Sequence, residues 1–162
     1  MSRSVSITTL EHIGEIEPGT DLAGALAAAL ADLAPREGDI LVVAHKVVSK
    51  AEGALVALAG VTPGARAVEL ATRLGQDPRH VQVVLDQSSE VLRSERVLIT
   101  RTHHGFVCAN AGVDASNVPG ADTVVLLPRD PDASARRLRA ALRERFAVAP
   151  AVCITDSFGR AW

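Results

Sequence analysis

Apolar and polar positions fall in blocks along the chain, and two of those blocks organise the rest. Residues 104–120 read HGFVCANAGVDASNVPG, an apolar run that breaks into Gly112, Asp114, Ser116 and Asn117 before a Pro119-Gly120 turn. The arrangement recurs in residues 151–160, AVCITDSFGR, where a second apolar run delivers Asp156, Ser157 and Gly159. Strands that end in small and acidic residues present backbone groups and carboxylates to a ligand.

Taken in order, the pattern predicts a short strand over residues 5–8 and a turn at Glu17-Pro18-Gly19. Thr20 or Asp21 then caps a helix whose Leu22, Leu26, Leu30 and Leu33 lie on one stripe of a 3.6-residue period. Residues 40–44, ILVVA, form a continuous apolar run, which predicts a strand buried on both faces. That strand discharges into HKVVSKAEG, residues 45–53, where Lys46 and Lys50 lie four apart. On a helical turn they would share one side and face an anion, although the spacing fits two solvated lysines at least as well.

Thr62-Pro63 starts a helix that turns Val68, Ala71 and Leu74 inward and stops at Gly75. Asp77-Pro78 starts another with Val81, Val84 and Leu85 inward, ending at residues 87–90, where Glu90 fits a capping or surface role better than a site role. A strand over 97–100 joins the organising stretch through a Thr102-His103-His104-Gly105 turn, a hairpin in which at most His104 is functional. Residues 123–127 make a further strand, Asp130-Pro131-Asp132 caps an arginine-rich helix with Leu138 and Leu142 inward, and the last strand runs into Asp156. Helices and strands alternate with one hairpin among them, so the expected fold class is α/β with a mixed parallel and antiparallel sheet and flanking helices.

Composition narrows the function classes. The 162 residues predict a single domain over 1–162, and 48 % hydrophobic residues with a mean hydropathy of +0.19 exclude a disordered chain. A net charge of -2 with interspersed signs, 2 % aromatics and no tyrosine argue against nucleic acid as a partner. The run Arg136, Arg137, Arg139, Arg143 and Arg145 has the spacing of a solvated helix face. No apolar stretch reaches the length of a membrane helix and residues 1–13 lack a secretory apolar core, so a cytoplasmic location is expected. Cys108 and Cys153 sit in separate apolar runs without zinc-ligand spacing and read as buried free thiols.

There is no G-x-x-x-x-G-K-[ST], no G-x-G-x-x-G after a strand and no G-x-S-x-G elbow. Asp114 and Asp156, with Ser116, Asn117 and Ser157, instead offer hard oxygen donors suited to Mg²⁺ or Mn²⁺. Aspartates at strand ends also cap turns, so spacing alone leaves both roles open.

The wording of four segments is more specific. KVVSKAEG (46–53), HGFVCANAGVDASNVPG (104–120), LLPRDPDASARRLR (126–139) and ITDSFGRAW (154–162) closely resemble, in that order and across essentially the whole chain, the coenzyme F420-0:L-glutamate ligase family. The resemblance implies a cytoplasmic, homodimeric ligase that uses GTP to activate the terminal carboxylate of a deazaflavin coenzyme precursor as an acyl phosphate. The amine of L-glutamate then displaces phosphate.

It also implies that Asp114 and Asp156 are catalytic, metal-binding aspartates for Mg²⁺ or Mn²⁺, with K⁺ as a further cation. Ser157 stands where the family has a metal-contacting threonine. His45, Lys46, Lys50 and Asn117 match its nucleotide-contacting positions. Residues 11–15 fall on a Gly-hydrophobic-Pro loop of the family, with His12 and Gly14 in place of that Gly and Pro. Family members continue past the position of Arg160, so a chain shortened at its C-terminus is expected, with Phe158 and Trp162 less buried than their size warrants. Two other classes fit the same residues: a non-catalytic interaction domain and a metal-dependent phosphate-ester hydrolase.

Overall fold

The computed structural model describes residues 4–116, 120, 122–148 and 150–156. Asn117, Ser157, Phe158 and Trp162 lie outside the described residues. Helices α1 (Leu22–Leu30), α2 (His45–Ala51), α3 (Ala65–Leu74), α4 (Pro78–Asp86) and α5 (Pro131–Phe146) alternate with strands β1 (Ile40–Ala44), β2 (Leu55–Ala57), β3 (Ser88–Ser94), β4 (Leu98–Thr102), β5 (Val107–Ala109), β6 (Thr123–Val125) and β7 (Ala151–Thr155). The fold is α/β with both parallel and antiparallel pairing. Among the described residues the pairing is divided among three small sheets: β1 parallel to β7, β2 antiparallel to β6, and an antiparallel β3-β4-β5.

Helices α1, α4 and α5 begin where the sequence places caps, whereas α3 starts at Ala65 after Gly64, beyond the expected Thr62-Pro63 start. Asp21 accepts the Gly24 N–H at the start of α1, Asp77 accepts the Arg79 N–H ahead of Pro78, and Asp130 accepts the Ala133 N–H ahead of Pro131. Gly75 closes α3 in the left-handed region, as the stop signal requires.

Several expectations need correction. Residues 5–8 form no strand, and Val5 and Ile7 are exposed, because no neighbouring strand is there to pair with them. Leu33 lies in a 3-10 turn after α1 and is exposed, since the tighter winding rotates it off the leucine stripe. On α3 the inward residues are Ala67, Leu70 and Ala71, while Val68 faces out. Residues 88–94 are strand β3 rather than a helix end, and Glu90 pairs with Arg101 across the β3–β4 ladder at 3.3 Å. Cys108 is buried as expected, whereas Cys153 is exposed.

The largest correction concerns β1. Its burial alternates, with Leu41 and Val43 in the core but Ile40 66 % and Val42 61 % exposed. Among the described residues the continuous apolar run is therefore covered on one face only, by α1 and α5.

Two apolar clusters hold the described residues together. One joins α3, α4, β4 and β6 around Val81, Val84, Leu98 and Val124. The other joins α1, β1, α2 and α5 around Leu26, Val48 and Leu142. Full burial of a leucine such as Leu26, Leu98 or Leu142 contributes about 1.5–3 kcal/mol, so these positions anchor each cluster.

Within the first cluster the chain makes a tight left-handed passage, with Asn110, Ala111 and Gly112 all at positive φ (49°, 53° and 71°). A Cβ on Gly112 would stand 2.8 Å from the Leu127 side chain. We expect Gly112→Ala to lower stability by about 2–5 kcal/mol, combining left-handed strain and overpacking. Gly105→Ala, at φ 89° with open space around it, should carry only the strain of about 1–2 kcal/mol. Chemical denaturation of the two variants checks the difference; equal losses would show that contact with Leu127 does not matter.

Candidate functional site

Strand register builds the site. β1 and β7 run parallel with Ala44 opposite Thr155, so the next residue of each strand, His45 and Asp156, leaves the sheet on the same side. His45 Nε2 lies 3.3 Å from Asp156 Oδ1. His45 opens α2 with no side-chain cap and is only 3 % exposed. Burial pushes its pKa down, outweighing the upward pull of Asp156, and adjacent Lys46 pushes the same way as burial. The imidazole is neutral near pH 7.

Asp114 comes from the other cluster. Its backbone exchanges two hydrogen bonds with Val125, N–H to O at 3.1 Å and O to N–H at 2.8 Å, which pins it beside β6. β6 in turn pairs with β2, directly downstream of α2. Lys46 Nζ therefore meets Asp114 Oδ2 at 2.6 Å and Ser116 Oγ at 2.6 Å, while the Ser116 N–H donates to Asp114 Oδ1 at 2.6 Å. Desolvation raises the Asp114 pKa, but the Lys46 and Ser116 hydrogen bonds together outweigh it and hold the carboxyl below its ordinary value. A partly exposed pair of this kind adds about 0–1 kcal/mol to stability, so the fold depends little on it.

Of the residues picked out in the sequence, His45, Lys46, Asp114 and Asp156 come together, with Ser116 joining them. Lys50 lies further along α2, 11 % exposed at its side chain, and its Nζ pairs with Glu15 Oε1 at 2.7 Å. That contact gives residues 11–15 a defined place against α2, which their sequence did not reveal. Asn117 and Ser157 fall outside the described residues. Among the described residues, no three His, Cys, Asp or Glu side chains converge as a ready metal set. His103 and His104 occupy the β4–β5 turn, and each is held to carbonyl oxygens: His103 to Asp86, His104 to Pro128 at 2.9 Å and Arg129 at 3.1 Å. A carbonyl only accepts, so the His104 Nε2 carries the proton and ties the turn to the segment ahead of α5.

Two features escaped the sequence reading. Cys108 lies near enough to Asp156 for that carboxylate to help burial raise its pKa, which keeps the thiol protonated. Glu52, Ser134 and Arg137 form a second polar cluster on the far side of α2. The only advance signal for the second was that its members lie inside the two motifs KVVSKAEG and LLPRDPDASARRLR.

These observations define an α/β protein whose charged site is assembled from one helix start and two loop aspartates. Comparison with known proteins gives its family. The family model for F420-0:Gamma-glutamyl ligase matches residues 11–162, and the chain belongs to that family. It is 49 % identical over 147 residues to the coenzyme F420:L-glutamate ligase of Methanopyrus kandleri, covering 90 % of this chain and 57 % of that protein. It is 40 % identical over 161 residues to the protein of the same name from Methanothermobacter thermautotrophicus (96 % and 63 %) and 45 % identical over 157 residues to that of Halobacterium salinarum (93 % and 59 %). The chain thus spans about 57–63 % of the length of these three relatives. No helix among the described residues is long and apolar enough to cross a membrane.

The Asp114 environment yields a pH test. A carboxyl with a depressed folded pKa contributes stability that is present above its unfolded value, about 3.9, and lost as pH falls through the folded value. In Lys46→Met the titration midpoint of the Asp114 carboxyl carbon, followed by NMR, should rise, because desolvation then faces only the Ser116 bonds. An unchanged midpoint would show that Lys46 is not what holds the carboxylate ionised.

Proposed function

We propose that this chain takes part in adding L-glutamate to the deazaflavin coenzyme F420-0 at the expense of GTP. The observation that carries the reading is the Lys46–Asp114 pair, which joins a cation and a carboxylate from separate parts of the chain beside His45 and Asp156. The relatives named as coenzyme F420:L-glutamate ligases support the substrate class.

A free carboxylate is a poor electrophile at neutral pH, so amide formation requires activation. The γ-phosphoryl group of GTP passes to a carboxylate oxygen of F420-0, its bond to the GDP oxygen breaking. The glutamate nitrogen then attacks the acyl carbon, a C–N bond forms, inorganic phosphate leaves with the former carboxylate oxygen, and the nitrogen loses a proton.

Such transfers depend on neutralising and orienting phosphoryl oxygens. Lys46 holds its ammonium ready at Asp114, and phosphate offers it a more highly charged acceptor. When Lys46 turns to phosphate, the Asp114 carboxylate keeps its hydrogen bond from the Ser116 N–H and is freed to face a cation. Asp114 and Asp156 would then hold a divalent cation. Two carboxylates plus phosphate oxygens and water are a donor set that Mg²⁺ accepts, and the cation would supply positive charge to offset that of the phosphate. In this reading Asn117 and Ser157 add nucleotide and metal contacts, K⁺ serves as a further cation, and neutral His45 keeps the Lys46 surroundings free of a second positive charge.

Lys50 reaches nucleotide by exchanging Glu15 for phosphate. Glu15 is largely exposed, so breaking that pair costs about 0–1 kcal/mol. A second reading, association through an apolar face, is favoured by exposed Ile40 and Val42: parallel sheets are ordinarily covered on both sides. We take that association to be a homodimer, checked by sedimentation.

We expect Lys46→Ala and Asp114→Asn each to lower glutamate-dependent GTP turnover about 100-fold or more, as loss of one charge-stabilising group does in comparable sites. Arg139→Ala, on the exposed face of α5, should leave it within about twofold. GTP turnover that ignores L-glutamate would favour a phosphate-ester hydrolase instead. In the same assay Glu15→Gln should lower the KM for GTP and Lys50→Ala raise it. A shift in the same direction for both would remove Lys50 from the nucleotide site.

A further inference from the structure

Part of two motifs has no task in the reading above: Glu52, just past α2 in KVVSKAEG, and Ser134 and Arg137 on α5 in LLPRDPDASARRLR. The fold brings them together across 82 and 85 positions of sequence. Glu52 Oε1 accepts from the Ser134 hydroxyl and from Arg137 Nη2 at 2.6 Å, and Arg137 also reaches Ser134 Oγ at 3.0 Å. The Ser134 hydroxyl has the Asp130 carbonyl within 3.0 Å as well, but it has one proton and the carboxylate is the stronger acceptor. Ser134 is buried while Glu52 is partly exposed, and Arg137 reaches the pair from the rim.

The packing around the cluster explains why a directional contact matters there. The groove between α1, α2 and α5 is walled by Leu22, Ala23, Val48, Ala51, Leu138 and Ala141, and it stays open as a cleft of about 310 Å³. Val48 is buried in the core and the Gly19 N–H donates to the Ala51 carbonyl at 2.9 Å. Yet Ala23, Ala51 and Ala141 leave the cleft beside the end of α2 unfilled, so packing alone does not hold that end against a shift. Nor does a local cap, because α2 starts without a side-chain hydrogen bond. Its seven residues make a rod about 10 Å long, so a shift at the Glu52 end moves Lys46 and Lys50 with it.

We propose that Glu52, Ser134 and Arg137 are positioning residues: a polar latch from α5 that sets where α2 stands and thereby where Lys46 and Lys50 meet the nucleotide. The consequence for nucleotide rests on the function proposed above; the latch itself does not.

Glu52→Ala and Ser134→Ala break it, while Glu52→Gln keeps an acceptor oxygen in place. In ligand-free protein, amide hydrogen exchange at Val48, Ser49 and Lys50 should quicken in both alanine variants relative to Leu70 and Ala71 of α3, and return towards wild type in Glu52→Gln. With GTP and Mg²⁺, both alanine variants should weaken binding and raise the KM for GTP about tenfold, comparable to loss of an outer-shell partner, with kcat within about twofold. Glu52→Gln should restore most of this.

Unchanged exchange in α2 overturns the latch whatever the protein binds. Faster exchange with GTP affinity at the wild-type value overturns the positioning role, because a merely structural tie loosens the helix without moving KM. If the wild-type protein binds no GTP, the nucleotide reading falls and the exchange measurement alone decides the latch. Should Glu52→Ala not fold, Ser134→Ala carries the same comparison.

Discussion

The parallel register of β1 on β7 is the constraint from which the site follows. With Ala44 opposite Thr155, both strands end level, and the residues that leave them are a histidine and an aspartate. A slip by one residue would send Leu41 and Val43 to the open face, and the apolar cluster shared with α1 and α5 resists that. Hydrophobic burial on one side of a small sheet thus fixes a polar contact at its end. Because α2 begins at the same residue, Lys46 is aimed away from the sheet and towards the second cluster, where the Val125 bridge holds Asp114.

Charge is balanced locally rather than globally. Lys46 faces Asp114, Lys50 faces Glu15, and His45 stays neutral beside Asp156. Each lysine is paired through a partly exposed carboxylate, so each pairing is inexpensive to exchange. In the proposed reading that exchange is the working step: an anionic ligand takes the ammonium groups and leaves carboxylates for a cation. The stability of the fold resides elsewhere, in the two leucine- and valine-rich clusters, so polar residues can trade partners without unfolding the chain.

Much of this was legible in the chain. Caps at Asp21, Asp77 and Asp130 and the stop at Gly75 are local chemistry, and the structure uses each as written. The alternation of helices and strands gave the α/β class for the same reason. Long-range choices were hidden. Residues 88–94 carry polar side chains and resemble a helix end, yet pair with β4; only the partner strand makes them β. ILVVA reads as doubly buried, but burial depends on what covers the second face, and for Ile40 and Val42 nothing described does. In the site, Asp114 and Asp156 stood out because acidic residues after apolar runs are locally conspicuous. Glu15 against Lys50 and Glu52 against Ser134 did not, because their meaning lies in contacts 35 and 82 positions away.

The central claim is that Lys46 exchanges Asp114 for phosphate and that the freed carboxylate, with Asp156, takes a divalent cation. A crystal structure of the protein with Mn²⁺ and a non-hydrolysable GTP analogue tests it most directly. The account predicts an anomalous manganese peak between Asp114 and Asp156 at about 2.0–2.6 Å from their oxygens, with Lys46 Nζ on a phosphate oxygen. Manganese bound elsewhere, or Lys46 still on Asp114 with the nucleotide in place, would contradict it.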